Sequence, residues 1–367
     1  MKKKVLIINN YISHYRKKLF DSLDHNSHEF LFLHLSERPS HRRGYEWSLL
    51  GKNRNYFFLK SLKVELLGKI LIFPFGLSSF ILKTKPDIII STFSRDAFLA
   101  SLVLFFLKPF LKFKLVFWVG DNKQTLHEGL LRSFDSLRLL FLKTCDGLIL
   151  YSSLSLDLLK EKNIDLNKTI LIGGQVQHNL TEVHDLPFKR HEKMKILVVS
   201  SYDPRKQLVT LMDDLNVYAN KYNSDFELNI VGTEKRNVPA NLKYKCNFYG
   251  RTPHKKMKIF YREASVLILP SSNEPWGHVA NEAIFNGTPT ITTKFTGCSQ
   301  VFGMEQFNYQ YRNIEQLDEA FKNLEKIYEK QKNIQSALTV EKFASFFNIF
   351  VENLSNKQRL ITNSYNK

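Results

Sequence analysis

Cysteine is scarce in this sequence. Its 367 residues include three cysteines, Cys145, Cys246 and Cys298, which lie far apart along the chain. Three is too few for a disulfide scaffold, and no pair has the spacing of a zinc site or a redox motif. We therefore expect reduced thiols in a cytosolic protein.

Long apolar runs are absent as well. The longest charge-free apolar runs, 70–82 and 97–107, have 13 and 11 residues, whereas a membrane-spanning helix needs about 20. The apolar run at 5–8 is too short for the core of a signal peptide and instead predicts a first buried strand.

Acidic residues are too few to balance the basic ones. The chain carries a formal net charge of +18, and residues 1–150 hold 24 Lys and Arg against 12 Asp and Glu. An excess of this size favours an anionic partner, such as nucleic acid, acidic lipid or a phosphorylated substrate. The alternative is a charged surface that serves solubility alone.

Short apolar runs alternate with helical patterns along the whole chain. This alternation predicts an α/β fold with two doubly wound parallel sheets. The polar stretch 181–193 contains a proline and predicts a linker. We expect domains at 1–185 and 186–340, and a helix with a polar tail at 341–367 that packs back on the first domain. The predicted strands are 5–8, 30–33, 86–91, 115–118, 147–151, 195–200, 227–232, 247–250, 265–270 and 289–293.

The strongest local signal spans residues 270–283. A buried strand ends at Pro270, a loop of small residues follows, and Gly277 precedes a helical pattern. Glycine lets a ligand approach the backbone closely, and the free N–H groups at a helix start suit a phosphate. Glu274 and Glu282 are eight residues apart, so one carboxylate can face a ligand in the loop while the other reaches past it.

This segment resembles the Glu-x7-Glu motif of retaining glycosyltransferases of family 4, which have the GT-B fold. The resemblance rests on 274–277, 281–283 and 287–289, and on the order of the surrounding strands over 195–300. It is weak over residues 1–180. It implies two Rossmann-like domains facing across a cleft, and transfer of a sugar from a nucleoside-diphosphate sugar to a glycan or lipid-linked acceptor. It also implies a role in cell-surface polysaccharide synthesis at the cytoplasmic face of a membrane.

The resemblance assigns roles to particular residues. Glu274 corresponds to the residue that binds hydroxyls of the donor sugar, and Lys206 to the lysine that neutralises the diphosphate. A fixed cation there stabilises the leaving group without a metal, so we expect neither a metal nor a cofactor. The residues that correspond to the rest of the donor site are Glu282, for the ribose, and Gly277, His278, Val279, Arg205 and Arg251.

Three residues of the second half of the chain depart from the family pattern. Ser200 and Ser201 stand where members often carry a Gly-Arg pair, and Gln207 stands in place of a glycine. The family arginine is therefore missing, and Arg205 is a candidate for its replacement. These departures leave open a non-catalytic GT-B scaffold that binds a sugar nucleotide or glycan.

Candidates for the acceptor side lie in the first half of the chain. Asp121 follows a predicted strand and is a candidate to orient or deprotonate an acceptor hydroxyl; a helix cap is the alternative. His14 and Arg16 follow the first strand and are candidates to contact the acceptor. In the retaining enzymes that the sequence resembles, the leaving phosphate itself is thought to take the acceptor proton.

Two apolar segments, 67–77 and 105–114, mix phenylalanine and leucine with lysine. A basic, aromatic surface is typical of peripheral proteins that bind anionic lipid. The alternative is a buried helix whose lysines reach out to solvent. Nucleic acid is disfavoured as a partner because the aromatic residues lie inside apolar runs instead of alternating with basic residues. A sugar-nucleotide epimerase is disfavoured by the Glu-x7-Glu context.

Overall fold

The computed structural model describes residues 2–10, 14–36, 55–66, 69–122, 130–173, 186–189, 191–235, 238–239, 241–300, 314–334, 339–356, 358 and 360–363. The chain divides into two compact units. The first comprises Met1–Gln177 together with Val340–Asn366, and the second comprises His178–Thr339.

Strands and helices alternate in the first unit, and the chain returns to it after the second unit. The returning elements are α11 (Val340–Ser355) and β15 (Ile361–Asn363). The elements before the second unit are β1 (Lys3–Asn9), α1 (His14–Asp21), β2 (His28–His34), β3 (Tyr56–Phe58), β4 (Ser61–Leu66), β5 (Lys69–Pro74), α2 (Leu77–Thr84), β6 (Ile88–Phe93), α3 (Phe98–Leu111), β7 (Lys114–Val119), α4 (Leu130–Thr144), β8 (Gly147–Leu150), α5 (Ser153–Glu161) and β9 (Thr169–Ile172).

An eight-stranded parallel sheet forms the centre of this unit, in the order β15-β9-β8-β7-β6-β1-β2-β3. Alternate residues of one strand enter different cores: Leu6 and Ile8 join one hydrophobic cluster, whereas Val5 and Ile7 join the other. Both faces of the sheet are therefore covered, which explains the continuous apolar runs. Strands β4 and β5 form a separate antiparallel hairpin.

The second unit repeats the alternation around a five-stranded parallel sheet of order β12-β11-β10-β13-β14. Two 3-10 turns, Pro204–Lys206 and Gly297–Gln300, follow β10 and β14. Its strands and helices are β10 (Met194–Val199), α6 (Leu208–Tyr222), β11 (Phe226–Val231), β12 (Lys245–Phe248), α7 (His254–Glu263), β13 (Val266–Leu269), α8 (His278–Phe285), β14 (Thr290–Thr292), α9 (Ile314–Lys322) and α10 (Leu324–Ile334).

The strand order reverses between β10 and β13, because β11 and β12 lie on one side of β10 while β13 and β14 lie on the other. In open parallel sheets, ligands bind beyond the carboxyl ends of the strands at such a switch point. The loops after β10 and β13 are therefore where a ligand is expected in this unit.

The α/β prediction with parallel sheets is confirmed, and each predicted strand overlaps an observed one. The segment 67–77 is not a helix, because β5 lies within it and pairs with β4. The described part of the predicted linker packs on the second unit, where the Leu186 carbonyl accepts a hydrogen bond from Tyr328 (2.6 Å). No helix in the described part of the chain is long and apolar enough to cross a bilayer.

Candidate functional site

Two loops of the second unit are joined at the switch point. The Asp203 carboxylate accepts a hydrogen bond from the Arg205 backbone N–H (2.9 Å) and so caps the turn after β10. The Ser272 N–H in the loop after β13 donates to the Arg205 carbonyl (2.9 Å). These bonds hold the two loops side by side, although they are about 70 residues apart in the chain.

An ion pair lies where these loops meet. The Lys206 ammonium contacts the Glu274 carboxylate, and both side chains are partly buried, with 19% and 18% exposed. The Glu274 backbone is fixed by hydrogen bonds from its N–H to the Phe295 carbonyl (3.1 Å) and from the Gly297 N–H to its own carbonyl (2.9 Å). The turn after β10 thus positions Lys206, and the segment after β14 positions Glu274.

Arg205 has a partner in its own turn. Its guanidinium donates to both oxygens of the Asp203 carboxylate, at 2.8–3.2 Å. Hydrogen bonding to Arg205 lowers the pKa of Asp203 and keeps the carboxylate ionised. Arg205 itself is exposed, so the predicted donor-binding cation is already engaged by a carboxylate in this structure.

Helix α8 begins beside the ion pair. Its N-cap, Gly277, has φ +99°, in the left-handed region that favours glycine. A Cβ atom there would lie 2.7 Å from Leu269 Cδ2 and 3.0 Å from Thr296 Cγ2. Glycine therefore lets the helix start tight against the sheet, and the backbone N–H groups of His278 and Val279 belong to the first turn of that helix.

Glu282 lies on α8 and is held from α7. The Tyr261 hydroxyl donates to Glu282 Oε2 (2.6 Å), and His254 Nε2 lies 3.5 Å from Oε1. Burial opposes ionisation of Glu282, but hydrogen bonds from His254 and Tyr261 and the charges of His254 and His278 outweigh it and lower its pKa. The carboxylate is therefore ionised at neutral pH and oriented by two neighbours.

Sequence reasoning missed Tyr261 and His254. They are seven residues apart, so they lie on one face of α7, two helical turns from each other. The sequence spacing could have shown that Tyr261 and His254 share a helix face. It could not have shown that this face contacts Glu282. Arg251, the remaining predicted donor-binding residue, is exposed in the loop between β12 and α7.

Asp121 of the first unit accepts a hydrogen bond from a buried arginine. The Arg138 guanidinium donates to Asp121 Oδ2 (2.7 Å) and to Asp135 Oδ1 (3.0 Å), and it lies 4.5 Å from the centre of the Phe93 ring. Arg95 pairs with Asp135 as well (3.1 Å). Two carboxylates and two guanidiniums thus form a compensated network at the carboxyl end of β7.

Arg16 is buried against the same sheet. Its guanidinium donates to the side chains of Asn9 and Tyr151 (2.9 Å to the tyrosine) and stacks over Trp118, 4.3 Å from the ring centre. The side chain of His14, the first residue of α1, lies outside the described part of the structure. Asp121 and Arg16 belong to the first unit, whereas the Lys206–Glu274 pair and Glu282 belong to the second.

Comparison with known proteins finds a family model and two curated relatives that match parts of the chain. Residues 181–338 match the model of the family described as glycosyl transferases group 1. An uncharacterized 41.2 kDa protein in the cps region of Klebsiella pneumoniae is 32% identical over 111 residues, which are 30% of each chain. The O-antigen chain mannosyltransferase RfbU of Salmonella typhimurium is 25% identical over 141 residues, 36% of this chain and 38% of that protein. The matched segments therefore span about a third of the curated relatives.

Solved structures resemble the chain over nearly its whole length. Sucrose-phosphate synthase from Thermosynechococcus elongatus has a TM-score of 0.66 at 15% identity, covering 97% of this chain and 100% of that one. The lipopolysaccharide outer core galactosyltransferase WaaB has a TM-score of 0.63 at 14% identity, covering 96% and 99%. HepE from Anabaena, in complex with UDP-glucose, has a TM-score of 0.61 at 13% identity, covering 96% and 100%. The chain therefore has the GT-B fold of these proteins, and its residues 181–338 match the model of glycosyl transferases group 1.

Proposed function

We propose that this protein is a retaining glycosyltransferase that transfers a hexosyl group from a nucleoside-diphosphate sugar to a glycan or lipid-linked acceptor. The observation that carries the proposal is the Lys206–Glu274 pair at the switch point, beside the start of α8. The family match of this unit supports glycosyl transfer. A mannosyltransferase of O-antigen chains and a protein in a cps region, among the relatives, support polysaccharide biosynthesis.

The donor is assigned to the second unit. We propose that Lys206 and the backbone N–H groups of His278 and Val279 bind the diphosphate, because a cation and a helix start both favour negative charge. Glu282, ionised and fixed by Tyr261, accepts hydrogen bonds from ribose hydroxyls. Arg251, which is exposed in the loop between β12 and α7, is a further candidate cation for the donor. A UDP-glucose complex of HepE, which shares the fold, supports a nucleotide sugar as donor.

The reaction breaks the bond between the anomeric carbon and the diphosphate and forms one between that carbon and an acceptor oxygen. The acceptor proton goes to the leaving diphosphate, so no protein base is required. Negative charge grows on the diphosphate, and Lys206 stabilises it in a partly buried site where water screens it less. Because Lys206 supplies this charge, we propose that the reaction needs no metal ion and no cofactor, and that chelators leave the rate unchanged.

The acceptor is assigned to the first unit. Asp121, held by Arg138, is positioned at the carboxyl end of β7 to accept a hydrogen bond from an acceptor hydroxyl. Arg16 and His14 follow β1 at the same edge of the sheet. The unpaired cysteines fit a reducing, cytoplasmic setting.

The test uses Glu274→Gln and the purified protein with UDP, GDP, ADP and their sugar conjugates. Glu274 competes with phosphate for Lys206 and repels it. We therefore expect the variant to bind the free diphosphate more tightly, by about tenfold, while sugar transfer is lost. Thermal shift measures the binding, since a ligand at about 100 times its dissociation constant stabilises the fold by about 2.7 kcal/mol.

The matched control is Glu315→Gln. Glu315 pairs with Lys221 in the same unit, but both side chains are exposed, so this change should alter neither binding nor transfer. Full turnover in Glu274→Gln would contradict the proposal. Donor binding by the unaltered protein without any transfer, with acceptor glycans present, would instead support a non-catalytic scaffold. A product with inverted anomeric configuration, seen by NMR, would contradict retention.

A further inference from the structure

One face of the β4–β5 hairpin is apolar and exposed. The strands pair Leu62 with Phe73 and Val64 with Leu71. The Phe75 N–H donates to the Lys60 carbonyl (3.0 Å), which extends the pairing by one step. Side chains directly opposite each other in an antiparallel pair share a face. Lys60, Leu62, Val64, Leu71, Phe73 and Phe75 therefore share one face, which we call the hairpin face; of these, Leu71 packs partly buried against the core.

The exposure of this face is unusual for its composition. Phe75 is 59% exposed, Leu62 52%, Phe73 38% and Val64 37%. On the opposite face, Ile72 is buried in the core of the unit, whereas Lys63 and Glu65 are exposed. Four large apolar side chains on one short ribbon form a patch of the kind that marks an interaction site.

The elements beside the hairpin extend the pattern. Helix α3 packs against β5 and exposes Phe106 and Phe110, which are four residues apart and so share a helix face. Helix α2, which follows β5, ends with exposed Leu82 and Lys83. Aromatic and basic side chains thus occur together around the ribbon.

We infer that the hairpin face docks on an anionic lipid bilayer. Lys60 belongs to the face itself, and Lys83 and Lys85 are exposed at the end of α2, the helix that follows β5. Apolar side chains that enter the interface and lysines that meet acidic headgroups are the two signals that together give stable membrane binding. The occupant is not a second copy of this chain, because its net charge of +18 repels a like molecule and attracts an acidic membrane.

This inference is independent of the proposed function, because it concerns binding alone. The test is co-sedimentation of the full chain with vesicles of phosphatidylcholine mixed with phosphatidylglycerol, and with vesicles of phosphatidylcholine alone. We expect binding to the mixed vesicles that falls as salt rises, and little binding to the neutral ones. Equal binding to both, or none to either, would overturn the inference.

Two variants locate the surface. Phe75→Ser should weaken binding at least tenfold, since it removes a large apolar side chain from the interface. Its control is Ile259→Ser, which changes a side chain of α7 that is 57% exposed and should leave binding intact. An equal loss in both variants would contradict the assignment to the hairpin face.

The charge variant covers the case in which Phe75→Ser fails to fold. Lys60→Glu with Lys85→Glu should weaken binding at least 25-fold, because each lysine near an acidic surface contributes about fivefold. The control, Lys160→Glu with Lys326→Glu, makes the same change of net charge at exposed positions of α5 and α10. If the control weakens binding as much, net charge explains it and the hairpin face does not. Light scattering measures self-association of the chain. If Phe75→Ser abolishes self-association but leaves vesicle binding intact, the hairpin face binds a second copy of the chain and the inference is overturned.

Discussion

Glu282 depends on a tyrosine that is itself completely buried. Tyr261 is 0% exposed, and its hydroxyl lies 2.6 Å from the carboxylate. The other titratable groups that act on Glu282 are His254 and His278. Because hydrogen bonds to the ionised form lower a carboxyl pKa, Tyr261 keeps Glu282 charged and fixes its orientation. Under the proposed function, Tyr261 is a positioning residue for donor binding.

Tyr261→Phe should therefore raise the pKa of Glu282. It should also weaken donor binding about fivefold, because one hydrogen bond contributes about that much to an equilibrium constant. KM should rise while kcat stays nearly constant. Because the pKa of Glu282 is lowered in the folded protein, its ionised carboxylate stabilises the fold at pH values above the ordinary carboxyl pKa. This stabilisation is lost as the pH falls through the folded-state pKa. In the variant the acidic decline in donor affinity should begin at a higher pH, as titration calorimetry across pH would measure.

The matched control for this change is Tyr218→Phe. The Tyr218 hydroxyl also reaches a carboxylate, that of Asp318 (3.4 Å), in the same unit, but neither residue belongs to the candidate site. If both variants shift the pH profile of binding equally, the Tyr261 contact has no special role in holding Glu282.

The start of helix α8 depends on the absence of a side chain at Gly277. Gly277→Ala would place a methyl group against Leu269 and Thr296 in a strained backbone conformation. We expect a loss of unfolding free energy of about 2–4 kcal/mol, and loss of diphosphate binding because the helix start moves. Gly250→Ala is the control: its φ is also positive, but the nearest contact is a glutamate methylene at 3.8 Å. Chemical denaturation would compare the two variants, and equal destabilisation would contradict the steric explanation.

Features that depend on neighbouring residues in the sequence could be predicted, whereas contacts between elements that are distant in the sequence could not. Glu274 and Gly277 follow a strand pattern and precede a helix pattern, so their place at a strand end was visible. The contact between Tyr261 and Glu282 joins two helices and depends on how they pack. Strand β5 has a continuous apolar run, which does not distinguish a strand from a buried helix. The three-residue β15 pairs with β9 inside a polar tail whose composition favours no strand.

The chain enters the first unit, leaves it, and returns to complete it. Helix α11 fills one core of that unit: Phe347 packs 5.9 Å from the ring of Trp118 on β7 and 6.4 Å from that of Phe30 on β2. Residues far apart in sequence therefore fold as one hydrophobic core. The large apolar side chains that α11 buries are Val340, Phe343, Phe347, Phe350, Val351 and Leu354.

A chain ending at Thr339 should consequently fail to fold its first unit. Six buried side chains at about 1.5–3 kcal/mol each amount to about 9–18 kcal/mol, as much as the whole stability of a typical domain. Of the helices and strands that the structure describes, a chain ending at Ser355 loses only β15, an edge strand of three residues, and it should retain the unit with a lower melting temperature. Hydrogen exchange would show both results, because amides of β1 and β7 should exchange freely in the shorter chain and stay protected in the longer one. Protection of those amides in the chain that ends at Thr339 would mean that the sheet does not need α11 to cover it.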